Sequence, residues 1–236
     1  MSSEKISAFE EGQILLFDKP LYWTSFDLVN KVRIMINSLP GIMKVKVGHA
    51  GTLDPLATGL MILCTGKFTK RADEFKDLDK EYIATICLGA TTPSHDLETE
   101  IDSSWPVDHI TGDLLKNTLS NFLGQQQQLP PAHSAKMIGG KRSYEYARKG
   151  ISKDLAPVSI IIKDIELLSF SPPEATIRIL CSKGTYIRAL VRDLGEALKS
   201  GAYLSALQRT AIGSFQVKNA FSLEKFENFI NELKQI

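Results

Sequence analysis

Apolar positions recur at helical spacing along some stretches of this chain and in short runs of strand length along others. Residues 13–17 form an apolar run that ends in Asp18-Lys19-Pro20, which predicts a strand leaving into a turn. Thr24 or Ser25 then caps a helix to about residue 38, with Phe26, Val29, Val32 and Ile36 on one face. Strands are predicted over residues 60–64 and 82–88, and a helix over 113–123 that opens on Asp113 and carries Leu114, Leu115, Leu119 and Phe122. Residues 125–131, ending Leu129-Pro130-Pro131, read as irregular. Two β-branched runs, 158–170 and 175–181, flank Ser171-Pro172-Pro173-Glu174 and predict a hairpin-like pair. The clearest amphipathic helix covers 185–199, with Thr185 as its cap and Ile187, Leu190, Leu194 and Leu198 as its apolar stripe. Arg188 and Arg192 lie one turn apart on another face. A last helix spans 222–234, with Leu223, Phe226, Phe229 or Ile230, and Leu233 inward.

No repeat and no flexible linker divides the 236 residues, so the pattern predicts one domain with long insertions, one of them at about 130–157. No apolar run reaches the ~18 residues that cross a bilayer, and residues 1–11 lack the layout of a signal peptide; a cytoplasmic protein is expected. Cys64, Cys87 and Cys181 lie far apart with no CxxC pair, against a disulfide framework or a structural zinc site. The four histidines show no metal-ligating spacing. With 28 basic and 27 acidic residues the net charge is only +1, so a nucleic-acid partner has to be argued from local clusters.

Three clusters invite chemistry. The densest is Val47-Gly48-His49-Ala50-Gly51-Thr52-Leu53-Asp54-Pro55-Leu56-Ala57-Thr58-Gly59, a glycine-rich loop in which Pro55 pushes Asp54 toward extended backbone. Asp54 is either a local acceptor in a turn or a carboxylate presented outward. A P-loop is excluded: six residues separate Gly59 from Gly66, and Phe68 stands where Ser or Thr must ligate magnesium. An aspartyl phosphatase is excluded too, because Leu56 occupies the position of its second carboxylate. The second cluster, residues 136–149, sets Lys136, Lys141, Arg142, Arg148 and Lys149 among Tyr144 and Tyr146, a mixture that suits RNA backbone and splayed bases or a solvated surface loop. The third is Cys181-Ser182-Lys183-Gly184-Thr185-Tyr186-Ile187-Arg188, where Arg188 can hold an anion by its two-pronged edge or pair with Glu196 at the surface.

Taken together these stretches resemble the TruB family of tRNA pseudouridine synthases. Residues 48–59 resemble its catalytic signature, Asp18-Lys19-Pro20 its N-terminal motif and Lys80-Glu81-Tyr82 its tyrosine motif. Pro130-Pro131-Ala132-His133-Ser134-Ala135-Lys136, the run from Tyr144 to Gly150, residues 183–188 and Leu207-Gln208-Arg209 follow in the family's order, so the likeness covers roughly residues 12–215. The resemblance implies an α+β pseudouridine-synthase fold, a mixed and mainly antiparallel sheet flanked by helices and carrying RNA-binding insertions. It implies cofactor-free isomerisation of uridine to pseudouridine at position 55, in the T loop of tRNA, by a monomer without membrane or obligate protein partner.

By the same resemblance Asp54 is the catalytic carboxylate and Arg188 supplies the compensating charge beside it. Tyr82 stacks on the extruded uracil and assists loss of the C5 proton. His49 enters the loop; Tyr186 and Leu207 line the pocket; Lys19 and Pro20 shape its wall. Lys136 and Arg148 bind RNA backbone from a segment ordered by tRNA. Three departures from the family pattern stand out: no PUA-type module is expected after residue 215, Thr91-Thr92-Pro93-Ser94-His95-Asp96 departs from the usual form, and His133 replaces an aromatic. The last two are expected to tune RNA contacts rather than chemistry. The rival readings are a non-catalytic tRNA-binding factor and a related synthase directed at another RNA.

Overall fold

The computed structural model describes residues 2–134, 136–151 and 155–235. In chain order the elements are α1 (Ser2–Glu11), β1 (Ile14–Lys19), α2 (Ser25–Asn37), β2 (Val47–His49), β3 (Ala57–Thr65), α3 (Ala72–Lys76), β4 (Lys80–Leu88), β5 (Ala90–Thr91), β6 (Ser103–Ser104), α4 (Gly112–Ser120) and β7 (Gly124–Gln128). There follow β8 (Met137–Ile138), β9 (Lys141–Arg142), α5 (Ser143–Ala147), β10 (Val158–Ser171), β11 (Glu174–Cys181), α6 (Ile187–Ala197), β12 (Ala202–Ile212), β13 (Phe215–Gln216) and α7 (Leu223–Lys234). Parts of the expected insertion at 130–157, residues 135 and 152–154, lie outside the described residues. The chain forms two compact units, Met1–Tyr82 with Gln208–Ile236, and Ile83–Leu207; the boundaries fall within β4 and β12. The class is α+β, its strands pairing mainly antiparallel.

In the first unit β3 is the central strand. Its run from Leu60 to Cys64 is buried throughout, which explains why it reads as continuous rather than alternating apolar sequence. β1 pairs with it antiparallel from Ile14↔Cys64 to Lys19↔Gly59, and β2 pairs from Val47↔Thr65 to His49↔Leu63. Thr24 caps α2 reciprocally: its hydroxyl accepts from the Asp27 amide at 3.0 Å, and the Asp27 carboxylate accepts from the Thr24 amide at 2.9 Å. The helix buries Leu28, Val29, Val32, Met35 and Ile36. Phe26 is not on that face as expected but 67% exposed, because Ser25 takes the inward position of the first turn. α7 is capped by Ser222 and buries Phe226, Ile230 and Leu233, with the Phe226 ring edge-on to Phe17 at 5.0 Å. α1 was not anticipated; its sequence is largely polar, and Phe9 is its single fully buried apolar side chain.

In the second unit β10 and β11 form the expected hairpin, with Ile160, Ile162, Ile177 and Ile179 in the core. β7 pairs with β10 from Gly124↔Ile162 to Gln128↔Val158. That strand corrects the irregular reading of 125–131: four glutamines carry no strand pattern, and it is the ladder to β10 that extends them. α4 starts one residue before Asp113, capped by Thr111, whose hydroxyl accepts from the Leu114 amide. α6 buries Ile187, Leu190 and Leu194 as its stripe predicts. Its N-cap is Tyr186 rather than Thr185, whose hydroxyl donates back to the Ser182 carbonyl.

Candidate active site

The loop after β2 is fixed from three sides within the first unit. The Ser25 hydroxyl donates to the Leu53 carbonyl at 3.0 Å and accepts from the Leu53 amide at 2.8 Å, clamping the residue before Asp54. The buried Arg209 guanidinium donates to the carbonyls of Leu60 (2.7 Å), Gly51 (3.2 Å) and Thr52 (3.3 Å). Gly59, at φ +106°, crosses the backbone of Arg209 so closely that any side-chain carbon would collide with it. The Asp54 carbonyl accepts from Ala57 at 3.0 Å, closing the turn through Pro55. Leu53 is thereby buried and Asp54 half-exposed.

Beneath this turn lies Lys19, fully buried at the end of β1. Its ammonium donates to the carbonyls of Trp23 (2.6 Å) and Pro20 (2.9 Å) and approaches that of Pro55 at 3.5 Å. Burial pushes its pKa down to about 8, against the attraction of the Asp54 carboxylate, while Arg209 adds to the depression. The structure thus brings Lys19, Pro20, Asp54 and Pro55 together. His49 sits half-buried on β2; burial lowers its pKa and outweighs the hydrogen bond its Nδ1 accepts from the Gly51 amide at 3.3 Å. Tyr82 is buried on β4.

The second unit holds Arg188. It is not at the surface with Glu196 but 6% exposed, donating from Nη1 to the Ser94 carbonyl at 3.0 Å and from Nη2 to the His133 carbonyl at 2.8 Å. Its Nε lies 3.4 Å from the carboxylate of Asp96, itself buried and accepting from the Glu98 amide at 2.9 Å. The segment around Asp96 therefore reaches the arginine directly, where the sequence reading assigned it to RNA contacts. Beside it His95 takes the left-handed backbone, φ 60°. Burial first, then Arg192 and Arg188, push its pKa down to about 4.

Tyr186 is held by the Gln128 side chain, which accepts from its amide at 2.8 Å and donates to its carbonyl at 3.0 Å. Leu207 is buried on β12. Lys136 donates to the Ala156 carbonyl at 2.7 Å, and the exposed Arg148 pairs with Glu98 at 2.7 Å over the Tyr144 ring. The basic segment forms the β8–β9 turn and α5 rather than an open loop. Sequence reasoning missed Ser25, Asp96 and Gln128 as supports. Arg209 it placed in a motif without a role; flanked by Gln208 and Thr210, the residue carries no sequence signal of the three carbonyls it reaches.

Residues 41–187 match the model of the TruB family pseudouridylate synthase N-terminal domain, and residues 188–235 that of the tRNA pseudouridylate synthase B C-terminal domain. The tRNA pseudouridine synthase B of Phocaeicola vulgatus is 55% identical over 224 residues, covering 95% of each chain. That of Bacteroides thetaiotaomicron is 56% identical over 227 residues, 94% of this chain and 95% of the relative. Among solved structures, the archaeal box H/ACA sRNP Nop10–Cbf5 complex superposes with a TM-score of 0.70 at 22% identity, over 96% of this chain and 56% of that one. At that identity the likeness is one of fold. Family matches across nearly the whole sequence, with half the residues shared over full-length relatives, place this chain in the TruB family of tRNA pseudouridine synthases, isomerases that act on tRNA.

Proposed function

We propose that the chain isomerises uridine to pseudouridine at position 55 of tRNA, with Asp54 as the catalytic carboxylate and no cofactor. The observation that carries this is the half-exposed Asp54 carboxylate on a loop fixed by Ser25 and Arg209, within the field of the buried Lys19 ammonium. A turn that used Asp54 only as a local acceptor has no need of a buried cation below it, which is difficult to desolvate. The uracil is extruded from the T loop, its N1–C1′ bond breaks, the ring turns and C5 bonds to C1′; the C5 proton then leaves and N1 gains one, so the overall change is an isomerisation. Asp54 acts through its carboxylate at the sugar or base. Tyr82 offers a ring to the extruded base, and His49 enters the loop it leaves. His49, its pKa lowered by burial, acts as a neutral ring.

By the family resemblance Arg188 supplies positive charge for the reaction; its fork is oriented by Asp96 and by the Ser94 and His133 carbonyls. By the family resemblance Tyr186, Leu207, Lys19 and Pro20 serve the extruded nucleotide, and Lys136 and Arg148 meet RNA backbone. The protein works as a monomer in the cytoplasm on the T stem-loop. Carbodiimide mapping of unmodified tRNA after treatment with the protein tests the site of reaction: a single stop at position 55 is expected. A stop elsewhere overturns the T-loop assignment.

A further inference from the structure

Three apolar side chains between the end of β1 and the first turn of α2 face water without a packing reason. Tyr22 is 76% exposed, Phe26 67% and Leu21 42%. Tyr22 also sits at φ +66°, the left-handed region that disfavours any residue with a Cβ by roughly 1 kcal/mol and that glycine adopts freely. A strained backbone position carrying an exposed ring has nothing to gain in stability from that ring. The strained turn is tied to the site: the Tyr22 amide donates to the Pro55 carbonyl at 2.8 Å, one residue past Asp54, and the Trp23 carbonyl receives the Lys19 ammonium at 2.6 Å. Phe26 follows within the first turn of α2, which Thr24 and Asp27 already cap without it.

We infer that Tyr22, with Phe26 four positions later, forms a stacking platform for an unpaired nucleobase of the RNA substrate next to the reacting uridine. Stacked bases suit exposed aromatic faces, since every base offers a flat π-surface and no particular hydrogen-bond pattern is needed. The platform adjoins the turn that presents Asp54, so a base there belongs to the same loop as the target. This rests on the reading of the protein as a synthase acting within an RNA loop.

The test uses an unmodified T stem-loop carrying 2-aminopurine in place of a loop base beside the target, titrated with wild type, Tyr22→Gly, Tyr22→Phe and Phe26→Ala. Stacking quenches the probe. Tyr22→Gly should weaken binding roughly 10-fold and restore the fluorescence, with its melting midpoint equal to or above wild type because glycine relieves the strained φ. Tyr22→Phe should keep most of the affinity and the quench. The slope of affinity against salt should not change, since no phosphate contact is lost. Unchanged affinity and quench in both Tyr22→Gly and Phe26→Ala, with pseudouridine still formed by wild type, overturns the platform alone. Concentration-dependent self-association of wild type that Phe26→Ala abolishes assigns the patch to a second copy and likewise overturns it. Absence of pseudouridine formation by wild type overturns the synthase reading on which it stands.

Discussion

Two buried arginines, one in each unit, are held in different ways. Arg209 gives its donors to three main-chain carbonyls, Gly51, Thr52 and Leu60, all from the loop and strand that carry Asp54. Arg188 gives its donors to the carbonyls of two separate segments, at Ser94 and His133, and faces a buried carboxylate, Asp96. The first arrangement spends a cation on fixing the path of one loop. The second sets a charge and orients it, because an acid partner fixes both the fork and its ionic surroundings. The contrast separates a residue whose loss should unfold the site from one whose loss should silence it.

Arg209→Met leaves three carbonyls without their donors, and a loss of about 3 kcal/mol is expected, lowering the melting midpoint by roughly 6–12 °C. Differential scanning calorimetry checks it, and an unshifted midpoint would remove the structural reading of this arginine. Arg188→Lys should keep the fold, since a charge remains beside Asp96, yet lose about 10²-fold in single-turnover rate, because an ammonium cannot reproduce the fork. Asp96→Asn should lower the rate by a smaller factor through disorientation of Arg188. Near wild-type rates in both would collapse the distinction between the two arginines.

Acid stability sharpens the comparison at the Arg188 side. The imidazole of His95 takes a proton near 6.5 when unfolded but only near 4 when folded. Between those values the unfolded chain binds more protons, so stability falls as pH drops through that window. The charged and titratable groups acting on it are Arg192, Arg188, Asp96 and His133. In urea titrations at pH 7 and pH 4.5, His95→Gln should lose less stability on acidification than wild type; parallel losses would show that His95 is not the group responsible. The smallest effect is expected at Arg148, exposed and paired with Glu98. Arg148→Ala should change stability by less than about 1 kcal/mol while reducing the salt slope of tRNA binding by about 1. An unchanged slope would remove it from the RNA contacts.

Much of this was legible in the sequence wherever pattern and burial agree. α6, α7 and the β10–β11 hairpin carry periodicities that match the faces they bury, and the continuous apolar run of β3 matches its burial on both faces. The glycine-rich turn with Asp54 was visible as a motif because its residues are consecutive. What supports it was not: Ser25, Arg209 and Lys19 lie far from it in sequence, and only tertiary contact makes them neighbours. β7 escaped because its extension comes from pairing with β10, not from its own residues. Asp96 looked like a family departure, and its role depends on a guanidinium ninety-two positions later. Phe26 was read inward from spacing alone, although Leu28, Val29, Val32, Met35 and Ile36 already complete the buried face of α2.

The most direct measurement is tritium release from C5-labelled uridine in an unmodified T stem-loop RNA, with wild type beside Asp54→Asn and binding followed in parallel. Release by wild type, with none from an Asp54→Asn protein that still binds the RNA, is the predicted result. Release by Asp54→Asn at the wild-type rate, or none from either while both bind, would contradict Asp54 as the carboxylate that isomerises the T-loop uridine.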